Sequence, residues 1–351
     1  MTLLVGLILA HGLLNLANCT YLRLKRPDFS GQYLTYADKK QKFRYFCLLN
    51  VDIIIFITLY LNKFYKTAAC FCCDLEKREI MDNCKLAYHA NCWGALGGDA
   101  VGVTSISQLA YRTFGDMDKA LTEIAEAGYS GVELFDGNLL DYKVTDFRAL
   151  LQRTGLELVA AYSGANFIFD DILPDELDRI TRSADRAAEL GAPHFVVGGG
   201  AKRYDGTRES DYHKLGAALD RVNDLAEERD LQAHYHPHLS TIVEGPEEVR
   251  RIFDLTSIRF CPDTAHLAAA GGNPAQMIQE HADRITYIHL KGLQRDPFAF
   301  VPLDRGDLDT APILKVIKEI KFEGWICTEL DAWGDPLEGA RLSMNYLKQA
   351  Q

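Results

Sequence analysis

Strand-like and helix-like segments alternate eight times between residues 84 and 351, and that alternation predicts an α/β fold, a single (β/α)8 TIM barrel. Three observations carry the prediction. Short apolar runs separated by segments of helical period are the signature of a parallel sheet. Eight such units in about 268 residues match the size of one barrel. Finally, four late runs, LQAHYHPH, IRFCPDTAH, ITYIHLKG and GWICTEL, end on or near His236, Asp263, His289 and Glu329. A barrel gathers the C-terminal ends of its strands at one mouth, so these four side chains should converge there.

Strand one covers residues 85–90 (KLAYHA), and a long Gly-containing loop separates it from a helix at 117–127. The AGYSG turn leads into strand two, 131–135, and a helix near 144–154 leads to strand three, 156–161. Residues 175–190 are strongly periodic and rich in Arg, Asp and Ala; Gly191 beyond them suits the left-handed residue that ends a helix. Strand four, 194–197, runs into Gly198, Gly199 and Gly200, and a helix at 211–229 precedes strand five, 232–236. Pro246, Glu247 and Glu248 mark the first turn of a helix at 246–253, where proline is tolerated and the helix dipole favours acids. Strand six is 258–262, a helix at 274–281 follows, and strand seven is 285–290. Asp309 caps a helix running to Ile320, strand eight is 325–329, and a last helix closes the ring.

The domain plan is thus a barrel over residues 84–351 behind an extension of residues 1–80. The two differ in charge. The extension holds 11 Lys+Arg against 6 Asp+Glu, leaving 27 against 43, net −16, for the remainder. An acidic main domain argues against nucleic acid as partner, because neutralising phosphates needs Lys and Arg. Residues 1–16 are apolar but lack the basic start and cleavage site of a signal peptide. Residues 46–61 are interrupted by Asn50 and Asp52 and fall short of the roughly 20 apolar residues a membrane span needs. The extension reads as a membrane anchor, a small subdomain, or translated upstream sequence ahead of a start at Met81, the last being preferred; none of these brings it into the active site. Membrane contact is expected nowhere else. Cys70, Cys72 and Cys73 have no second cluster at zinc-finger spacing, so free thiols in a reducing cytoplasm are the expectation.

Side chains alternate along a strand, so His234, His236 and His238 share a face. His236, at the mouth, is read as a metal ligand, and His238 as a substrate contact. Asp263 is a ligand unless it only caps the next turn; His289 is a ligand unless it is a core imidazole. Glu329 inside a barrel mouth needs a counter-charge to offset its desolvation. Together the four predict one divalent cation. Mixed imidazole and carboxylate donors suit Mn2+ or Co2+ first, with Zn2+, Fe2+ or Mg2+ admissible, over Ca2+.

Other candidates surround that centre. Lys291, two residues beyond His289, would hold an oxyanion or, with its pKa lowered by the metal, exchange protons; the plain alternative is a surface lysine. His266 lies three residues after Asp263. Glu133 ends strand two as a substrate contact or proton carrier. Trp93 and Phe135 offer an apolar wall for a sugar ring. Lys202 and Arg203 keep a phosphorylated substrate in play, as do the amides of glycines 198–200, although a tight turn is the simpler reading of that run.

The strings AGYSGVEL, YHPH, PDTAHL, YIHLKG and TELD resemble those of the xylose isomerase-like TIM-barrel superfamily of sugar isomerases, epimerases and dehydratases, and among these the inosose dehydratases most. The likeness spans roughly residues 84–350 and leaves 1–80 unmatched. It implies a divalent metal held by His236, Asp263, His289 and Glu329. Two positions depart from the family. His236 stands where the epimerases place Glu, which removes one carboxylate from a two-base epimerisation, and Gly292 replaces the acid of the family's HLKD. The implied chemistry starts from a ketone or α-hydroxyketone and passes through an enediolate, with the metal as Lewis acid. Loss of a β-hydroxyl then makes a dehydratase, and reprotonation an isomerase or epimerase. Glu329 or Lys291 is the expected base, with His266 or His238 assisting departure of water. The resemblance implies a small sugar or cyclitol as partner and leaves a homo-oligomer open. An abasic-site endonuclease of the same fold is disfavoured by the −16 balance, and a barrel that only binds would take up no metal.

Overall fold

The computed structural model describes residues 84–98 and 109–350. The expectations for residues 1–80, including Cys70, Cys72 and Cys73, lie outside the described residues.

The barrel starts with β1 (Lys85–His89), and a 3-10 turn at Ala90–Trp93 leads to an antiparallel pair, β2 (Ala95–Gly98) and β3 (Tyr111–Phe114). Then follow α1 (Met117–Ala127), β4 (Gly131–Phe135), α2 (Asp136–Asp141), α3 (Val144–Thr154), β5 (Glu157–Ala165), α4 (Leu173–Glu189), β6 (His194–Gly199), α5 (Glu209–Glu227) and β7 (Gln232–His236). The last third runs through α6 (Pro246–Phe253), β8 (Arg259–Phe260), α7 (Thr264–Ala269), α8 (Pro274–Glu280), β9 (Tyr287–Leu290), a hairpin of β10 (Gly292–Arg295) and β11 (Phe298–Val301), α9 (Ala311–Glu319), β12 (Trp325–Thr328) and α10 (Pro336–Ala350).

Eight parallel strands hydrogen-bond in the order β8-β7-β6-β5-β4-β1-β12-β9. The ring closes between its two ends by a short seam: the His289 N–H donates to Pro262 O at 3.0 Å, and Asp263 pairs with His289 in a parallel bridge. The helices form locally for the reasons the sequence offers. In α1, Asp116 caps the start by accepting the Lys119 N–H at 3.0 Å, and Gly128 ends it at φ 100°. Between them Met117, Ala120, Leu121 and Ile124 recur on one face and are buried. Burying a side chain the size of Leu121 contributes about 1.5–3 kcal/mol. Inside the sheet a second packing layer is formed by Ala87, Val159, Ala160, Val196, Cys261, Tyr287, Trp325 and Cys327.

The eight strands fall where the alternation predicts, with differences at their ends and in the connections; strand six, expected over 258–262, is only Arg259–Phe260. β5 reaches Ala165 and β6 reaches Gly199, beyond residues 161 and 197, because Ser163, Gly164 and Ala165 pair with Val197, Gly198 and Gly199. Tyr162 and Ser163 thereby ride to the mouth of the barrel. The β10–β11 hairpin was not expected; it buries Leu293 against Ala265 and Ala268 of α7. The glycine run is a tight turn: Gly199 and Gly200 have φ of 118° and 96°, and the Gly200 N–H already donates to Ala165 O at 3.0 Å, so that amide is not open to a phosphate. Among the described residues Cys84, Cys92, Cys261 and Cys327 are free thiols, and no helix is long and apolar enough to cross a membrane.

Candidate active site

His236 ends β7, Asp263 follows β8, His289 lies in β9 and Glu329 follows β12. One ligand atom from each lies within 4.8 Å of the other three, and all four residues are buried. Register explains the convergence. Asp263 faces His289 across the closing seam, and β12 lies beside β9 with Cys327 opposite His289, so the next positions along both strands reach the same mouth.

Asp263, His289 and Glu329 are each anchored at one atom and bare at another, while His236 is bare at both ring nitrogens. Asp263 Oδ1 accepts the N–H groups of Ala265 and His266, both at 2.8 Å, and so caps α7. Its Oδ2 stands 3.6 Å from His236 Nε2. Capping thus uses one oxygen of the carboxylate and leaves the other able to serve as a ligand. Glu329 Oε1 accepts from Lys291 Nζ at 3.1 Å and Asn91 Nδ2 at 3.0 Å, while Oε2 lies 2.7 Å from His289 Nδ1. The opposite nitrogen of His289, Nε2, is 2.9 Å from Glu133 Oε2. The atoms left buried without a hydrogen bond include both ring nitrogens of His236, Asp263 Oδ2, His289 Nδ1 and Glu329 Oε2. A buried polar atom without a partner costs about 1–3 kcal/mol. Two imidazoles and two carboxylates whose bare atoms converge make a donor set that fits a divalent transition metal.

The charges are arranged around that centre. Burial opposes a charged ring at His289, yet Glu133 and Glu329 on its two sides outweigh it and raise its pKa to about 10 in the metal-free chain. Burial pushes the Glu329 carboxyl up, but Lys291 and His289 overcome it and hold the group well below the usual range.

Lys291 is fully buried, not a surface lysine. Its Nζ donates to Asp331 at 2.6 Å and Glu329 at 3.1 Å, lies 3.5 Å from His266 Nε2, and sits 4.1 Å from the centroid of the Phe300 ring on β11. Burial opposes its charge, but Glu329, Asp331 and Asp263 outweigh it and raise the pKa above the ordinary lysine value. In the metal-free chain Lys291 is thus a cation joining two carboxylates. His266 is buried with its ring 3.8 Å from that of His238, and burial holds its pKa well below the ordinary value. His238 is half-buried, and its Nδ1 lies 2.7 Å from Leu239 O; a proton shared there leaves Nε2 as the lone-pair nitrogen.

A cavity of about 710 Å³ opens over the centre. Tyr111, Phe135 and Tyr162 line one side as an aromatic wall, and Asn91, His236, His238, Thr241, Glu329 and Asp331 contribute polar groups. Four residues singled out in the sequence stand elsewhere. Trp93 is packed edge-on against Tyr88 with ring centroids 5.6 Å apart, and its indole N–H donates to Glu123 at 2.6 Å, so it braces α1 instead of lining the cavity. Lys202 pairs with Glu244 at 2.9 Å, and Arg203 with Asp211 at 2.9 Å, both off the cavity wall. Glu133 has no exposed surface and sits behind His289, where no substrate reaches it. Conversely, Asn91, Tyr162 and Asp331 join the site without having been singled out. Asp331 carried a usable signal, since it is two residues from Glu329 in TELD; Tyr162 was hidden by ending strand three four residues early, and Asn91 had none.

Residues 121–350 match the family described as xylose isomerase-like TIM barrel. Among curated proteins, an inosose dehydratase of Geobacillus kaustophilus is 27% identical over 266 residues, covering 66% of this chain and 86% of that protein. One of Clostridium beijerinckii is 25% identical over 267 residues, covering 66% and 89%. Among solved structures, D-allulose 3-epimerase from Methylomonas sp. superposes with a TM-score of 0.62 at 18% identity over 77% of this chain and 98% of that one. The 3-keto-D-glucoside 4-epimerase of E. coli does so with a TM-score of 0.58 at 18% identity, covering 76% and 99%. At such identity the structural likeness speaks for the fold.

Proposed function

The chain belongs to the xylose isomerase-like TIM-barrel family, and from that premise we propose that it is a divalent-metal-dependent enzyme acting on an uncharged sugar or cyclitol ketone, a dehydratase of the inosose dehydratase type. The observation that carries the proposal is the convergence of His236, Asp263, His289 and Glu329 within 4.8 Å beneath an open cavity. When bound, a divalent metal would act there as a Lewis acid towards a substrate carbonyl. The inosose dehydratase relatives favour elimination, and so does His236, which supplies an imidazole where a two-carboxylate epimerisation would need an acid.

The chain's own groups take the remaining roles. Tyr111, Phe135 and Tyr162 give the apolar faces of a ring something to lie against, while Asn91 and Asp331 offer hydrogen bonds to hydroxyls. Glu329 removes the proton from the carbon beside the carbonyl, with Lys291 and Asn91 fixing its Oε1. His238, standing after β7 and three places round the ring from β12, offers its Nε2 lone pair to a substrate hydroxyl, and the proton taken up by Glu329 leaves with the departing hydroxyl as water. Lys291 and His266 act through Glu329 and Asp263 without reaching the cavity wall.

Charge narrows the substrate. Arg179 is the one Lys or Arg among the described residues lining the cavity, and its Nη1 is spent on Asp136 at 2.7 Å and Ser163 at 3.1 Å. A phosphate would find no uncommitted cation there, which disfavours the sugar-phosphate alternative. The test is incubation of the Mn2+- or Co2+-loaded protein with inososes, ketoses and their phosphates in D2O, with products read by mass and NMR. Loss of one water from an unphosphorylated ketone is the expected result. Deuterium uptake with every hydroxyl retained would move the protein to the isomerases and epimerases, and no reaction with any of them would sink the proposal.

A further inference from the structure

A carboxylate with no exposed surface inside a barrel demands a reason, because burying it costs several kcal/mol unless donors surround it. Glu133, at the middle of β4, has two within hydrogen-bond reach and an imidazole facing its other oxygen. Its Oε2 accepts the Tyr287 hydroxyl at 2.5 Å and lies 2.9 Å from His289 Nε2. Its Oε1 faces His89 Nε2 at 3.6 Å. The Asn91 N–H donates to His89 Nδ1 at 3.1 Å, so the single proton of a neutral His89 sits on Nε2, towards Glu133.

From this geometry we infer that Glu133 is a positioning residue that selects the tautomer of His289, drawing its proton to Nε2 and leaving the Nδ1 lone pair aimed at the three other ligand atoms; the inference rests on the metal site proposed above. A ring that meets a cation through Nδ1 keeps one proton, and the carboxylate facing Nε2 gives that proton its place. His289 Nδ1 is 2.7 Å from Glu329 Oε2, close enough for a proton on Nδ1 to be shared between them and so to shut the site against a cation. Glu133 holds the other nitrogen at comparable range and tips that balance. A hydrogen bond of this kind fixes ring orientation, raises ligand basicity, and is worth about 10- to 100-fold in metal affinity.

The experiment uses the full chain with Glu133→Gln, Glu133→Leu and Tyr287→Phe, each stripped of metal. Co2+ affinity is read by chelator competition, the cobalt visible absorption band by titration, and thermal stability on the metal-free proteins. Glu133→Gln keeps an acceptor oxygen but loses the charge, and should weaken Co2+ binding about 10-fold; Glu133→Leu removes the acceptor and should weaken it about 100-fold with a changed cobalt band. Tyr287→Phe, which leaves the Glu133–His289 contact in place, should stay within about threefold of the unmodified chain. A purely structural glutamate would show the opposite split, with stability falling and affinity of the folded fraction unmoved. Folded Glu133→Leu binding cobalt as tightly as the unmodified chain overturns the inference while the metal site stands. Should that variant not fold, unchanged affinity of Glu133→Gln overturns it equally. An unmodified chain that binds neither Co2+ nor Mn2+ overturns the metal site itself.

Discussion

Lys291 shows how much a residue's surroundings decide beyond its place in the sequence. Two positions after His289 it reads as a mobile proton carrier, but the fold seals it under Phe300 and spends its charge on Glu329 and Asp331. Breaking a buried pair leaves the partner's charge uncompensated at about 3–5 kcal/mol, and the partial exposure of Asp331 places the expectation at the lower end. Lys291→Met should therefore lose about 3 kcal/mol in urea unfolding of the metal-free protein. The loss should shrink when Mn2+ is present, since a cation beside Glu329 supplies part of the missing charge; an effect within about 0.5 kcal/mol would be that of a surface lysine. Deeper in the barrel His194 Nδ1 lies 3.0 Å from His234 Nε2, and burial lowers the His194 pKa from 6.5 to about 4. Unfolding then takes up a proton, so stability is full above about pH 6.5 and falls as the pH drops towards 4, by about 2 kcal/mol at pH 5 from His194 alone. Urea midpoints at pH 7 and 5, compared with His194→Gln, should show that slope flattened in the variant.

At the scale of elements, the helices were legible because their signals are local. Asp116 and Gly128 bracket α1, Pro246 with two glutamates opens α6, and the apolar period lies within each. Strand ends were less so, because pairing partners rather than composition decide them. β5 continues to Ala165 only because β6 continues beside it, and nothing within VAAYSGA announces this. The hairpins β2–β3 and β10–β11 escaped for a related reason: strands of four residues inside long connections show no alternation long enough to read. The extended β5–β6 edge gives a sharp test at Gly199, whose φ is 118° and where an added Cβ would lie 2.0 Å from Ala165 O. A strained backbone at such a position costs about 1–3 kcal/mol before any clash. Gly199→Ala should lower the thermal midpoint and, by pushing back the strand that carries Tyr162, raise KM more than it changes kcat. Unchanged stability and KM would mean the turn adapts without moving the wall.

At the scale of the whole molecule, the convergence of the four candidate ligands could be foreseen because barrel topology brings strand ends together whatever their separation in sequence. His236 and Glu329 are 93 residues apart yet meet at one mouth. Of the groups behind them, Glu133 was singled out only as a substrate contact or proton carrier and Asn91 not at all, since only side-chain geometry shows what faces inward past a ligand. The same topology predicts where the folding unit starts. β1 pairs with β4 on one side and β12 on the other, and the seam between β8 and β9 closes the ring, so every strand of the barrel finds both neighbours within residues 84–350. A chain beginning at Met81 should therefore unfold in one cooperative urea transition and bind Co2+ as tightly as the full-length protein, because the four candidate ligands and Glu133, Lys291 and Asn91 behind them all follow Cys84. If the shortened protein instead expresses as aggregate, or binds the metal markedly more weakly, residues 1–80 hold part of what keeps the barrel closed, and their reading as dispensable sequence is wrong.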